Sequence, residues 1–293
     1  MLFLPSPFEQ RTFQNQLFYL KRDDLLDKDF SGNKARKFHS FLTHDFPQIK
    51  RVVSSGSNQS NAMYSLSVLA RLKEWEFIYV CDHIPNFLKE NPMGNYKAAL
   101  ENGMKIIASA NRAEEVQRWL DEKSLEVEEG GRQKEAEEGV KRLAEELLVD
   151  VKRHGLSDPY LFLPSGTGTT ALFLQKHLPF PVYTCPTVGD SAYLQKQWEM
   201  VEPNLERYPT ILETKQKYHY GKLYVEFYVL WQRLKDEMGV EFDLVYDPVG
   251  WAALLEHLPH LEGTPIYVHQ GGILGNSSME ERYKRKKTII KHL

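Results

Sequence analysis

Ile49-Lys50-Arg51-Val52-Val53-Ser54-Ser55-Gly56-Ser57-Asn58-Gln59-Ser60-Asn61 is the stretch on which the fold turns. Ile49 to Val53 is short and rich in β-branched residues, as a strand requires. The eight residues Ser54 to Asn61 are all small or amide-bearing. From Asn61 to Leu72 the apolar residues recur at helical spacing. Strand, polar turn and helix in succession open a parallel α/β unit. The unit repeats toward the C-terminus. Phe77 to Cys81 and Met104 to Ala108 read as strands, and Gly94 to Glu101 and Ala113 to Leu120 as the helices that follow them. Asp121 to Gly131 is acidic and ends in glycine, as expected of a crossing between lobes. An amphipathic helix spans about Lys134 to Arg153, with Val140, Leu143, Ala144, Leu147 and Leu148 on one face.

A second run follows. Its predicted strands are Tyr160 to Leu163, Pro181 to Thr184, Phe242 to Tyr246 and Pro265 to Val268. Its predicted helices are Thr169 to His177, Ala192 to Met200, Leu223 to Met238 and Trp251 to His257, with Glu202 to Tyr220 irregular. The pattern predicts a two-lobe α/β fold built on parallel or mixed sheets. The small lobe is expected at residues 48–125 and the large one at 1–47 and 126–293. A chain of 293 residues exceeds what one core usually serves, and 42% hydrophobic with 12% aromatic residues can fill two.

The formal charge of -3 gives no general attraction to nucleic acid or to an anionic membrane. The basic run Arg282 to Lys287 reads as a solvated terminal segment. No apolar run reaches membrane-spanning length, and Met1 to Pro7 lacks the basic leader of a signal peptide. The two cysteines, Cys81 and Cys185, fit a reducing compartment and read as core residues. Ten histidines without metal-ligand spacing predict no metal. The expectation is a soluble, cytoplasmic protein.

Ligands of open parallel sheets sit beyond the carboxyl ends of the strands, so the turns there are the places to inspect. Ser54 to Asn61 offers hydroxyls, amides and a helix N-terminus suited to a carboxylate, or a plain Ser/Asn-rich cap. Ser165-Gly166-Thr167-Gly168-Thr169-Thr170-Ala171 offers glycines, hydroxyls and a helix start suited to a phosphate. It also satisfies the weak Gly-x-Gly-x-x-Ala dinucleotide fingerprint, with Asp190 near the expected distance downstream. The absence of Gly-Lys-Ser/Thr excludes a nucleoside-triphosphate loop. Tyr246 stands at the end of the predicted strand, Tyr218 and Tyr220 lie in the irregular stretch, and His269-Gln270-Gly271-Gly272 ends the last strand.

Ser31-Gly32-Asn33-Lys34-Ala35-Arg36-Lys37 places a lysine where a helix over Ala35 to Leu42 should begin. Such an amine can form a Schiff base with an aldehyde cofactor, provided that burial or a nearby cation lowers a pKa of about 10.4. Alone, the motif is more often an ordinary turn and N-cap with a solvated lysine.

Taken in order, these pieces resemble one family, the pyridoxal-phosphate-dependent 1-aminocyclopropane-1-carboxylate deaminases and D-cysteine desulfhydrases of the tryptophan-synthase-β-like fold. The resemblance runs through Tyr19-Leu20-Lys21-Arg22-Asp23-Asp24-Leu25, Gly32 to Lys37 and Gln59-Ser60-Asn61. It continues in Glu129-Gly130-Gly131, Gly166 to Thr170, Tyr220-Gly221 and Asp243-Leu244-Val245-Tyr246-Asp247. It implies pyridoxal 5'-phosphate held covalently by Lys34, with Asn61 beside its ring oxygen and Asp247 near its pyridine nitrogen. Gly166, Thr167, Gly168, Thr169 and Thr170 would hold its phosphate. Ser60 would meet the substrate carboxylate, and Tyr246 and Tyr220 would be the active-site tyrosines. The implied reaction is deamination of a small amino acid to a 2-oxo acid and ammonia, and a homodimer is expected.

The chain departs from the family at Ala62, at Leu172 and in shortened connections after Gly131 and Met200. Asp247 is acidic as in the deaminases, and Gln270 polar as in the desulfhydrases. D-cysteine is narrowly favoured over the cyclopropane substrate. A dinucleotide-dependent oxidoreductase and a catalytically silent binding protein of the same fold stay open.

Overall fold

A computed structural model describes residues 5–286. The chain opens with a hairpin, β1 (Phe8–Phe13) and β2 (Gln16–Arg22), paired antiparallel with Phe13 opposite Gln16. Its two-residue turn puts Gln14 and Asn15 at φ 51° and 62°, the positive pair that matches the twist of a hairpin. The expected helix over Ala35 to Leu42 is instead two short ones, α1 (Gly32–Lys37) and α2 (His39–Thr43). Next come β3 (Arg51–Ser55), α3 (Asn61–Lys73), β4 (Glu76–Cys81), α4 (Asn86–Glu90), α5 (Gly94–Glu101), β5 (Lys105–Ala108), α6 (Arg112–Trp119) and β6 (Ser124–Val127). The acidic segment read as a bare crossing thus contains a strand, β6, which pairs with β3. These four strands form a parallel sheet in the order β5-β4-β3-β6.

After α7 (Ala136–Arg153) the chain builds β7 (Pro159–Ser165), α8 (Thr169–His177), β8 (Val182–Pro186), α9 (Ser191–Val201) and β9 (Thr210–Ile211). It ends through α10 (Val225–Met238), α11 (Asp247–His257), β10 (Thr264–His269) and α12 (Asn276–Arg285). The second sheet is mixed, in the order β1-β2-β10-β7-β8-β9. Helices cover both its faces, so β7 and β10 are buried almost throughout, as near-continuous apolar runs imply. Phe18, Trp231, Trp251 and Tyr267 fill one face, while Leu143, Leu147, Leu172 and Trp198 fill the other. Leu148 leaves the expected apolar face of α7 and is 38% exposed. Leu172 continues α8 regularly, donating to the Gly168 carbonyl at 2.9 Å.

Phe242 to Tyr246 is not a strand. The Asp243 carboxylate accepts the N–H groups of Val245 at 2.7 Å and Tyr246 at 2.8 Å. Leu244 N–H donates to Asn276 Oδ1, and Phe242 O accepts from Trp231 Nε1. Side chains take the backbone groups that a ladder would have paired, and α11 begins at Asp247.

The basic C-terminal run is not wholly solvated either. Arg282 and Tyr283 lie on α12, where Arg282 donates to the Gly221 carbonyl at 2.7 Å and Tyr283 joins the core. Lys287 lies outside the described residues. Both cysteines are buried and free. No described helix is long and apolar enough to cross a membrane.

Candidate functional site

The carboxyl ends of both sheets open into one cleft. Ser57, Ser60 and Asn61 reach it from the β3 end, Asp82 from β4, and Glu129 and Gly130 from β6. Pro164 to Gly168 reach it from the β7 end, and Gln270 and Gly271 from β10. Lys34, Thr170, Tyr220, Tyr246 and Asp247 also line it. Of the site residues that the family resemblance implies, Thr169 alone is not on the wall. It begins α8 and shares a 3.1 Å hydrogen bond with the Thr167 hydroxyl.

Lys34 is placed by a close backbone approach. Asn33 N–H donates to the Gln270 carbonyl at 3.0 Å, and a β-carbon on Gly32 would collide with that carbonyl. Gly32 also holds φ +68°, so only glycine lets α1 start against the end of β10. The Gln270 side chain completes the clamp, accepting from Asn33 Nδ2 at 2.9 Å and donating to Pro164 O at 2.6 Å. Burial lowers the Lys34 amine to a pKa of about 8, with Asp243 opposing the shift.

One turn later, Lys37 points the same way. Its Nζ donates to Gly130 O at 3.0 Å and to Thr167 Oγ1 at 3.4 Å. Burial, and then repulsion from Lys34, push its pKa well down. Among the described residues no carboxylate pairs with it. Lys37 was not singled out as a site residue, although its i,i+3 spacing from Lys34 puts both amines on one helix face.

The loop Gly166 to Thr170 enters α8 with Gly168 as its N-cap at φ +69°. A β-carbon on Gly168 would meet Trp198 and Leu194 rather than the cleft. Gly168→Val therefore tests packing, not anion approach. The Thr170 hydroxyl is the informative group: the residue is 3% exposed, faces the cleft, and its Oγ1 has no hydrogen-bond partner. An orphaned hydroxyl, a helix start and a buried amine without a carboxylate partner line the same cleft, and a phosphate would satisfy all three.

Opposite, Ser60 caps α3, its Oγ accepting from Ala62 N at 3.1 Å and Met63 N at 3.4 Å. Asn61 donates to Asp243 Oδ2 at 3.1 Å. The Tyr220 and Tyr246 hydroxyls are 3.1 Å apart. A strand-end phenol lowered by nearby cations is not what the cleft provides. Desolvation at the cleft wall raises Tyr220, and desolvation with Tyr220 and Asp243 nearby raises Tyr246 well above the usual value. Asp247 accepts from Tyr267 OH at 2.6 Å and from Asp243 N at 2.9 Å, and burial beside Asp243 pushes its carboxyl well up. Asp190 caps α9 through Tyr193 N–H at 3.0 Å, outside this cleft. Among the described residues no His, Cys, Asp and Glu cluster is placed to hold a metal ion.

No protein-family model matches the chain. No curated protein matches it in sequence. Its architecture, however, is shared with solved structures. An ACC deaminase homologue matches 99% of this chain and 94% of its own, at 17% identity and a TM-score of 0.79. A threonine deaminase from T.th. matches 92% of each chain, at 17% identity and a TM-score of 0.71. A pyridoxal 5'-phosphate-dependent aspartate racemase matches 92% of this chain and 90% of its own, at 13% identity and a TM-score of 0.64. The two sheets, their crossovers and the cleft between them are those of the tryptophan-synthase-β-like fold, and that is the fold of this chain.

Proposed function

We propose that the protein is a pyridoxal-phosphate-dependent lyase that deaminates a small amino acid. The observation that carries this reading is Lys34, a cleft amine lowered to about 8 by burial, one helical turn from a second buried amine that no described carboxylate pairs with. Lys34 would hold the cofactor covalently. The α8 start, the Thr167 and Thr170 hydroxyls and Lys37 would hold its phosphate. Asn61 would face its ring oxygen, and Asp247, whose carboxyl burial beside Asp243 pushes up, would face its pyridine nitrogen. When bound, pyridoxal phosphate supplies an aldehyde for the amino group and a ring that takes up the electron pair released at the substrate α-carbon.

The chain's own groups do the rest. Ser60, at the α3 N-terminus, orients the substrate carboxylate. The Lys34 amine, once free, takes the proton from the α-carbon. Tyr246, protonated at neutral pH, gives a proton to the group leaving the β-carbon, with Tyr220 donating to or accepting from its oxygen. A phenol raised in pKa is a donor, which suits elimination of a β-thiol better than a reaction that begins with a phenolate. On that ground the substrate is D-cysteine rather than the cyclopropane amino acid, with pyruvate, sulfide and ammonia as products. Gln270 does not decide between them, since its amide is spent on Asn33 and Pro164. The dinucleotide reading loses its acid, because Asp190 caps a helix away from this cleft.

Pyruvate and sulfide released from D-cysteine, assayed beside 2-oxobutanoate from the cyclopropane amino acid, test the assignment. Turnover of only the latter reverses it. Cofactor binding with no turnover of either makes the protein a silent binder.

The phosphate cradle has its own test. Thr170→Val replaces an unpartnered buried hydroxyl with a methyl of the same shape. The cofactor-free variant should melt no lower than the parent, because no hydrogen bond is lost. Its affinity for pyridoxal phosphate should fall about tenfold, the scale of one hydrogen bond to a charged group. Affinity for pyridoxal, which lacks the phosphate, should not change. Equal losses for both, read by fluorescence titration, would remove Thr170 from the cradle.

A further inference from the structure

Behind Asn61 runs a hydrogen-bond chain that the chemistry above does not use. Asn95, the second residue of α5, is 1% exposed. Its Nδ2 donates to the Gln59 carbonyl at 3.0 Å and to Asn61 Oδ1 at 2.6 Å. With its oxygen thus engaged, Asn61 turns its nitrogen to Asp243 and donates to Oδ2 at 3.1 Å. Asp243, 3% exposed, accepts Val245 N–H and Tyr246 N–H on its other oxygen. All these donors run toward Asp243, so its carboxylate acts only as an acceptor.

We propose that Asn95 is a positioning residue that fixes the Asn61 amide, keeps Asp243 a carboxylate, and so holds the turn that carries the Tyr246 phenol. The inference rests on the function proposed above. Its physical basis is the two-way nature of an amide. Without Asn95, Asn61 is free to turn its oxygen toward Asp243, which can answer only by taking a proton and donating. Burial already pushes the Asp243 carboxyl upward. The other charged or titratable groups around it are Lys34, which favours its ionised form, and Asp247, Tyr246, Tyr220 and Tyr267. A protonated Asp243 grips the two N–H groups less, and the Tyr246 hydroxyl loses its fixed place.

Asn95→Asp keeps the shape and removes the donor, whereas Asn95→Ala removes both. Two readouts follow in each variant. The Asp243 carboxyl, followed by carbon NMR in the cofactor-free full-length protein, should titrate at higher pH than in the parent. In the cofactor-loaded enzyme, kcat should fall about tenfold, the scale of one buried hydrogen bond, with KM nearly unchanged. Asn95→Ala keeps the test open if the carboxylate variant folds poorly. A lower kcat without a shift of Asp243 means that Asn95 acts by packing alone and overturns the proposal. A shift without loss of kcat overturns it too. If the parent itself takes up no cofactor, the functional reading fails separately, and the Asp243 titration still decides whether Asn95 acts on that carboxyl.

Discussion

Lys34→Ala abolishes turnover, by a factor of about a thousand or more, and removes the visible band of the cofactor-loaded protein. The size follows from what the amine does twice: it holds the cofactor and moves the proton at the α-carbon. The variant should still fold. A lysine whose pKa drops on folding, here from 10.5 to about 8, costs stability below pH 8, and that cost fades as pH rises toward the ordinary value. Removing it relieves the cofactor-free chain at neutral pH, so lost activity does not mean lost fold. Thermal melting with and without cofactor separates the two. The same pKa sets the pH dependence of capture. Only the unprotonated amine attacks an aldehyde, so at pH 7 roughly a tenth of the Lys34 amines are competent. The rate at which the visible band appears on mixing should rise with pH and level off above about 8. A flat profile would mean that Lys34 is not the attacking amine.

Tyr246→Phe carries the second largest effect. The phenol is half-buried at the cleft wall, hydrogen-bonded to Tyr220, and pushed well above its usual pKa by desolvation. At neutral pH it holds its proton, and its use lies in giving that proton up as the β-group departs. Loss of such a donor costs about a hundredfold in kcat. Because the hydroxyl acts in the transition state and not in holding substrate, KM should barely move. Steady-state kinetics with D-cysteine read this directly. A rise in KM with kcat preserved would recast Tyr246 as a binding residue.

The fold was largely legible because parallel strands buried on both faces are written as continuous apolar runs. β4, β7 and β10 follow that rule within two residues of the predicted bounds. The rule failed where side chains took over the backbone's hydrogen bonds. Phe242-Asp243-Leu244-Val245-Tyr246 has the composition of a strand, yet Asp243, Asn276 and Trp231 satisfy its backbone and fold it into a turn. It failed again at the β1–β2 hairpin, whose Gln14-Asn15 turn lacks the glycine that usually announces one. The cleft residues were found through the turns after strands and through the family resemblance. Those that were missed have a shared cause. Lys37, Asp243 and Asn95 act through groups distant in sequence (Gly130 and Thr167 for Lys37, Asn61 for the other two), and only the assembled cleft shows the contact. Lys37 alone left a trace, its spacing from Lys34.

The proposed chemistry needs one amine, among all the chain's lysines, to carry the cofactor. Borohydride reduction of the pyridoxal-phosphate-loaded protein fixes the cofactor to whichever amine holds it, and mass spectrometry of the peptides locates it. The expected result is a single modified peptide containing Lys34. Modification at Lys37 or any other lysine, or none at all, would contradict it.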